Sequence, residues 1–149
     1  MSRLDEYAKL FDDLNKKKLR VGWFPSSQYP ENQGGEYVAS VALTQEFGDP
    51  SQHIPPRPFI RPTIANEKGN YGRYIRKLVK QRGISADDVL DSVGSLMSAN
   101  IQKTISLITS PPLSAMTIRL RQERGNNSVK PLNDTGYMIA TLTHDVVKK

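Results

Sequence analysis

Asp134-Thr135-Gly136 is the one tripeptide in the sequence whose residue types could suggest chemistry by themselves. Aspartic proteases carry Asp-Thr-Gly, two such carboxylates sharing a proton to activate water. A single copy would need a homodimer. The flanks argue against it: Asn133 stands where an apolar residue is expected, bulky Tyr137 follows the glycine, and the chain carries at least three helical periods whereas those proteases are nearly all β. The same residues suit a structural turn or cap, with Asp134 accepting backbone amides, Thr135 seconding it and Gly136 relieving crowding.

The other chemistry-bearing residue types are scattered. His53 and His144 are the only histidines and lie far apart, and there is no cysteine. A zinc site normally takes three or four ligands, mostly Cys and His, so no metal is expected, and disulfides and a cysteine nucleophile are excluded. Both histidines read as surface or loop residues. No Gly-rich phosphate loop, Ser-His-Asp set or pair of glycosidase-like carboxylates can be assembled. The chain is expected to have no catalytic site, cofactor or small-molecule substrate.

Charge offers more. The net charge is +6 and the sequence pI is near 9.6, which permits contact with nucleic acid or acidic surfaces. Lys68, Arg73, Arg76, Lys77, Lys80 and Arg82 follow one another with no acidic residue between them, and Asp87, Asp88 and Asp91 come just after. Opposite patches suit docking between subunits, so Arg73, Arg76, Lys77 and Lys80 are candidate interface residues. Aromatics that could stack bases are sparse there, Tyr71 and Tyr74 only. Pro55-Pro56-Arg57-Pro58 could serve as a polyproline ligand, or as a rigid extended connector. In an extended segment alternate residues point the same way, so Arg57, Phe59 and Arg61 are expected to share one side and to form part of an interface.

These residues need elements to position them. Leu4, Tyr7, Leu10, Phe11 and Leu14 recur at helical spacing behind a Ser2/Asp5 cap. Leu19 to Phe24 alternates as a strand. A polar loop (25–35) leads to a helix over 36–47, with Gly48 as its C-terminal stop. A second, proline-studded loop (49–57) leads to a short extended piece at 58–61. Pro62 is placed to begin a helix that runs toward Gln81 and is weakened by Gly69 and Gly72. Ser85 and Asp88 form a capping box for a long helix with the stripe Val89, Val93, Leu96, Met97, Ile101, Ile105 and Ile108, ending at Ser110-Pro111-Pro112. Ser114 to Arg124 reads as a basic helix, 125–131 as a third loop, and Thr141 to Val147 as a closing strand.

The expected fold class is therefore α+β: a small mixed or antiparallel sheet packed against two or three helices, with long loops. At 149 residues the chain fits a single domain, 1–149, with the first helix (2–17) as a peripheral arm. A 37% share of hydrophobic residues is lean for such a domain, and 10 Gly with 10 Pro leave much of it as loop. A lean core with long loops suggests that a partner completes the structure. No apolar run approaches the roughly 20 residues that span a bilayer, and charges stand where a signal peptide would be apolar, so the chain is expected to be made and folded in a cytoplasm.

Three pieces carry a resemblance: Val21-Gly22 in a strand, a helix ending Gln45-Glu46-Phe47-Gly48, and Ile54-Pro55-Pro56-Arg57-Pro58-Phe59-Ile60-Arg61-Pro62. In this order they resemble the tail-completion, or neck, proteins of tailed bacteriophages. Lys130-Pro131-Leu132-Asn133-Asp134-Thr135-Gly136 before a closing strand is similar to that family's C-terminal pattern. The resemblance spans about residues 19–147. It implies a virion structural protein between head connector and tail tube, assembled as a ring (a hexamer), made in the host cytoplasm and contacting neighbouring tail and connector proteins. It also allows non-specific contact with DNA in the channel, and it has no catalytic residues to carry over. A tail-terminator or head–tail adaptor protein is the neighbouring alternative. A small basic nucleic-acid-binding protein is the alternative from another class.

Overall fold

The first helical period folds as expected. In the computed structural model, which describes residues 1–131 and 136–149, α1 spans Arg3–Asn15. Ser2 and Asp5 form the capping box, Asp5 N donating to the Ser2 hydroxyl at 3.1 Å and Ser2 N to the Asp5 carboxylate at 3.1 Å. The chain then forms β1 (Lys17–Gly22), α2 (Val38–Phe47), α3 (Ile60–Val79), α4 (Ala86–Leu107), α5 (Ala115–Glu123), α6 (Tyr137–Thr141) and β2 (Thr143–Lys148). The protein is α+β, with one two-stranded antiparallel sheet among the described residues; Lys17 pairs with Lys148 and Gly22 with Thr143.

The described chain divides into two compact units. The first comprises residues 1–22, 64–99 and 143–149; the second comprises 23–63 and 100–142.

In the first unit, α1 gives Leu10 to a core with Leu78, Ala86, Val89 and Val93. Leu14, Leu19, Tyr74, Ile75 and Met97 pack against it, so the helix expected as a peripheral arm anchors part of the unit. The two-stranded sheet lies close to α4 because position 94 is glycine: a Cβ there would sit 2.4 Å from the His144 ring and 2.8 Å from Leu19. His144, expected in a loop or on the surface, is half-buried on β2, its Nε2 2.7 Å from Asp91 Oδ1. The acidic patch stays exposed, but its carboxylates are engaged within the unit. Asp87 pairs with Lys17 at 2.7 Å, and Asp88 completes the capping box with Ser85. The strand begins two residues earlier than alternation suggests, so Lys17 and Lys18 belong to β1, and Trp23 lies beyond its end.

In the second unit, Val38, Ala42, Phe59, Ile101, Ile105, Met138 and Leu142 are buried. The loop at 25–35 is held at its base by Tyr29 N to Glu36 O (2.8 Å), Val38 N to Ser27 O (3.2 Å) and the Tyr137 hydroxyl to Gln28 O (2.7 Å). The extended piece expected at 58–61 does not exist as such. The helix starts at Ile60, two residues before Pro62.

Within α3, Gly69 and Gly72 each cost about 0.5–1 kcal/mol relative to alanine. At Gly69 packing gives nothing in return, since a Cβ would find no atom within 4 Å. Among the described residues, no helix is long and apolar enough to cross a membrane.

Candidate functional site

Two of the pieces that carry the resemblance, 45–48 and 54–62, meet in the second unit, where the end of α2 faces the start of α3, while Val21 and Gly22 lie in the first unit. Glu46 lies in the last turn of α2 and is 3% exposed. Its Oε2 accepts the amides of Phe59 (2.6 Å) and Ile60 (3.0 Å), and its Oε1 accepts the amide of Arg61 (3.1 Å) and the Arg61 Nε (3.0 Å). Arg61 returns a bond from its guanidinium to Glu46 O at 2.9 Å, and the guanidinium carbon lies 4.4 Å from the centre of the Phe47 ring.

The first four amides of an α-helix have no partner within it. Here Glu46 takes three of them, and the fourth position is Pro62, which has no amide to satisfy. This capping from α2 lets α3 begin at Ile60 instead of Pro62. Burial pushes the Glu46 carboxyl's pKa up, but the amides of Phe59, Ile60 and Arg61 and then the Arg61 side chain outweigh it and hold the pKa below its ordinary value.

Gly48 makes the turn possible. Its φ is +74°, its amide donates to Thr44 O at 2.7 Å, and a Cβ would lie 2.8 Å from both Ile54 O and Pro56 N. The loop that follows closes on itself through Asp49 N to Ile54 O (2.9 Å) and Ile54 N to Asp49 O (3.0 Å).

Arg57 and Phe59 are not on an exposed side. Phe59 is 0% exposed, with the Trp23 ring edge-on at 5.8 Å. Arg57 is 5% exposed; its Nε donates to Pro111 O at 2.7 Å and its Nη2 to Pro112 O at 3.0 Å. Its own amide donates to Gln45 O at 2.7 Å. The reading of Arg57, Phe59 and Arg61 as one interface side fails for the first two, which are interior, while Arg61 is helical and half-exposed. Arg57 and Phe59 keep the alternation of an extended piece but face inward, and the Glu46 cap starts the helix at Ile60, which takes Arg61 off that side.

A cleft of about 690 Å³ opens beside this junction, lined by Tyr29, Gln45, His53, Arg57, Arg121 and Tyr137 among others. Arg121 is 5% exposed and holds the 125–131 loop through Ser128 O (3.3 Å) and Lys130 O (2.7 Å). Burial, and then the neighbouring Arg121 cation, pull the Arg57 pKa below its ordinary value. Both guanidiniums act as clamps on main-chain carbonyls. Among the described residues no group of three or more His, Asp or Glu is placed to hold a metal ion. Ser114, on the cleft wall, caps α5 by accepting the Thr117 amide at 3.2 Å.

The remaining candidates separate. Gly136, φ +73°, immediately precedes α6. Asp134 and Thr135, read as a turn or cap, lie outside the described residues. Arg73, Arg76, Lys77 and Lys80 are all exposed in the first unit.

Sequence reasoning missed Glu46 and Arg121. A signal for Glu46 was present: a glutamate in the last turn of a helix opposes the macrodipole and so has reason to serve another element. No family model, curated protein or solved structure matches the chain.

Proposed function

We propose that this chain is a bacteriophage virion structural protein of the neck, or tail completion, which forms a ring joining tail to head and carries no catalysis. Its place would be the top of the tail, after synthesis in the host cytoplasm, and its partners would be further copies of itself and the adjoining tail and connector proteins. Tail terminator and head–tail adaptor are roles of the same class.

The observation that carries this reading is the number of large apolar side chains left on helix surfaces in helical register. Leu43 and Phe47 on α2, Met116 and Leu120 on α5, and Leu4 and Phe11 on α1 are each more than half exposed. Spacings of four and seven residues place each pair on one side of its helix. Apolar ridges of this kind mark protein-binding surfaces, and a ring requires two different complementary surfaces on each subunit. Glu46, Arg57 and Arg61 of the resembling segments are spent on internal structure, as suits a scaffold that supports such surfaces.

Native mass spectrometry and sedimentation test the proposal. A closed oligomer of fixed copy number is expected, together with the same number of copies in purified virions. Leu43→Glu and Met116→Glu should leave the subunit folded and abolish the oligomer. A protein that stays monomeric at high concentration and is absent from virions would refute the reading.

A further inference from the structure

The exposed side of α3 has a composition that neither the core nor the apolar ridges explain. Gly69, Arg73 and Arg76 stand at i, i+4 and i+7 and form one ridge that Lys80, the residue just after the helix, continues, with Lys77 beside it; all five are exposed. The opposite side carries Tyr71, Tyr74, Ile75 and Leu78, which are buried or half-buried. None of the four cations forms an ion pair among the described residues. Arg73 donates to Asn70 Oδ1, and Arg76 to Gly72 O at 3.3 Å. The nearest acids in sequence are engaged elsewhere: Glu67 with Asn70, and Asp87 and Asp91 with Lys17 and His144.

We propose that this face of α3, made by Gly69, Arg73, Arg76, Lys77 and Lys80, binds the phosphate backbone of duplex DNA without reading its sequence.

Four cations spread over about 10 Å of helix match a row of phosphates. No large apolar residue stands among them, whereas the core of a protein interface needs apolar or aromatic anchors, and this chain displays those on α1, α2 and α5 instead. The same lack disfavours a lipid surface, where a basic helix adds apolar residues that enter the headgroup boundary. Single strands are captured by stacking bases on aromatic rings, but Tyr71 and Tyr74 are on the opposite side.

Gly69 supplies a separate argument. It weakens the helix with no gain in internal packing, and it leaves a gap in the ridge where a phosphate can approach the backbone closely. The inference does not depend on assembly into a ring, since the face lies within one subunit.

The test is binding of the full chain to a mixed-sequence fluorescent DNA duplex across a salt series. Each neutralised phosphate contributes a slope of about −0.9 in log K against log salt, so four contacts give about −3.6 and a fourfold rise in salt weakens binding about a hundredfold. The quadruple variant Arg73→Gln, Arg76→Gln, Lys77→Gln, Lys80→Gln should melt as the parent does and flatten the slope toward zero. A control variant with Lys9, Lys18, Lys103 and Lys148 changed to Gln loses the same net charge and should keep the slope. Gly69→Leu, which has open space at its Cβ, should stay folded and weaken the binding.

Equal losses in both quadruple variants would overturn the proposal, because net charge alone would then drive binding. So would the absence of binding at low salt, or unchanged binding by Gly69→Leu. Polyglutamate or phosphatidylserine vesicles held as tightly as the duplex at equal charge, and released by the same α3 changes, would assign the face to an acidic protein or a membrane and overturn it too.

Discussion

Replacing Glu46 tests the central junction most directly. The carboxylate is 3% exposed and accepts three main-chain amides and one guanidinium N–H. Hydrogen bonds to a charged group contribute about 1.5–3 kcal/mol each, and an orphaned buried donor costs about 1–3 kcal/mol. These values do not add for neighbours, and a cap as a whole contributes about 0.5–2 kcal/mol. Glu46→Ala, which orphans all the donors, should therefore cost about 3–5 kcal/mol. Glu46→Gln keeps one oxygen for Phe59 and Ile60 but turns an NH₂ toward the two Arg61 donors, and about half that loss is expected. Arg61→Ala removes only a half-exposed partner and should cost no more than about 1 kcal/mol. The pH dependence has a definite sign. The folded-state pKa of Glu46 lies below its ordinary value, so the contribution is complete above the ordinary carboxylate range and is lost as pH falls through the folded-state value. The stability gap between parent and Glu46→Gln should be flat above about pH 5 and shrink in stronger acid. Urea denaturation followed by circular dichroism measures the gap, and amide exchange at Phe59, Ile60 and Arg61 localises it. A Glu46→Gln protein as stable as the parent at neutral pH, with those amides equally protected, would show that the carboxylate does not cap α3.

Three further expectations concern steric and polar details. Gly48→Ala should destabilise by more than about 2 kcal/mol, since strain at positive φ is joined by a Cβ placed 2.8 Å from two backbone atoms; Gly83→Ala, with φ +73° and open space, should cost only about 1–2 kcal/mol, and equal losses in a melting comparison would refute the packing argument. Gly94→Ala must displace the His144 ring, so it should lower the melting temperature and change the His144 ring signals in NMR, whereas Asp91→Asn should shift stability by about 1 kcal/mol at most; unchanged ring signals in Gly94→Ala would contradict the close approach. Arg57→Ala should cost about 2–3 kcal/mol by leaving the Pro111 and Pro112 carbonyls unsatisfied, and a denaturation midpoint like that of Arg61→Ala would show that Arg57 is dispensable to the fold.

Much of the secondary structure was legible because its signals are local. The Ser2/Asp5 and Ser85/Asp88 boxes, the α4 stripe and the stop at Gly48 are each set by residues within a few positions of one another, and all are present. What was not legible depends on distant partners. Proline content read residues 58–61 as extended, but a carboxylate more than ten positions upstream supplies the amide acceptors that make a helix affordable there. Arg121 sits in a helix whose other arginine, Arg119, and whose C-cap, Arg124, are exposed, and nothing in the spacing separates it from them. His144 escaped for a similar reason: its burial depends on Gly94, an absent side chain on another element.

Helix electrostatics explain why the Glu46 junction takes this form. A helix carries about half a positive charge at its N-terminus and half a negative charge at its C-terminus. In the last turn of α2, Glu46 is disfavoured by its own helix. At the start of α3 the same carboxylate meets the positive end and three free amides, so the interaction lost in one helix is recovered in the next. The recovery requires the chain to reverse within the intervening loop, which explains Gly48 at positive φ, the Asp49–Ile54 bridge and the prolines that fix the approach to Phe59. Pro62 then occupies the one early position of α3 that the carboxylate does not serve, and its missing amide leaves nothing unpaired. The Glu-Phe-Gly and Pro-Arg-Pro-Phe elements are therefore two halves of one structural device, and each loses its physical reason without the other.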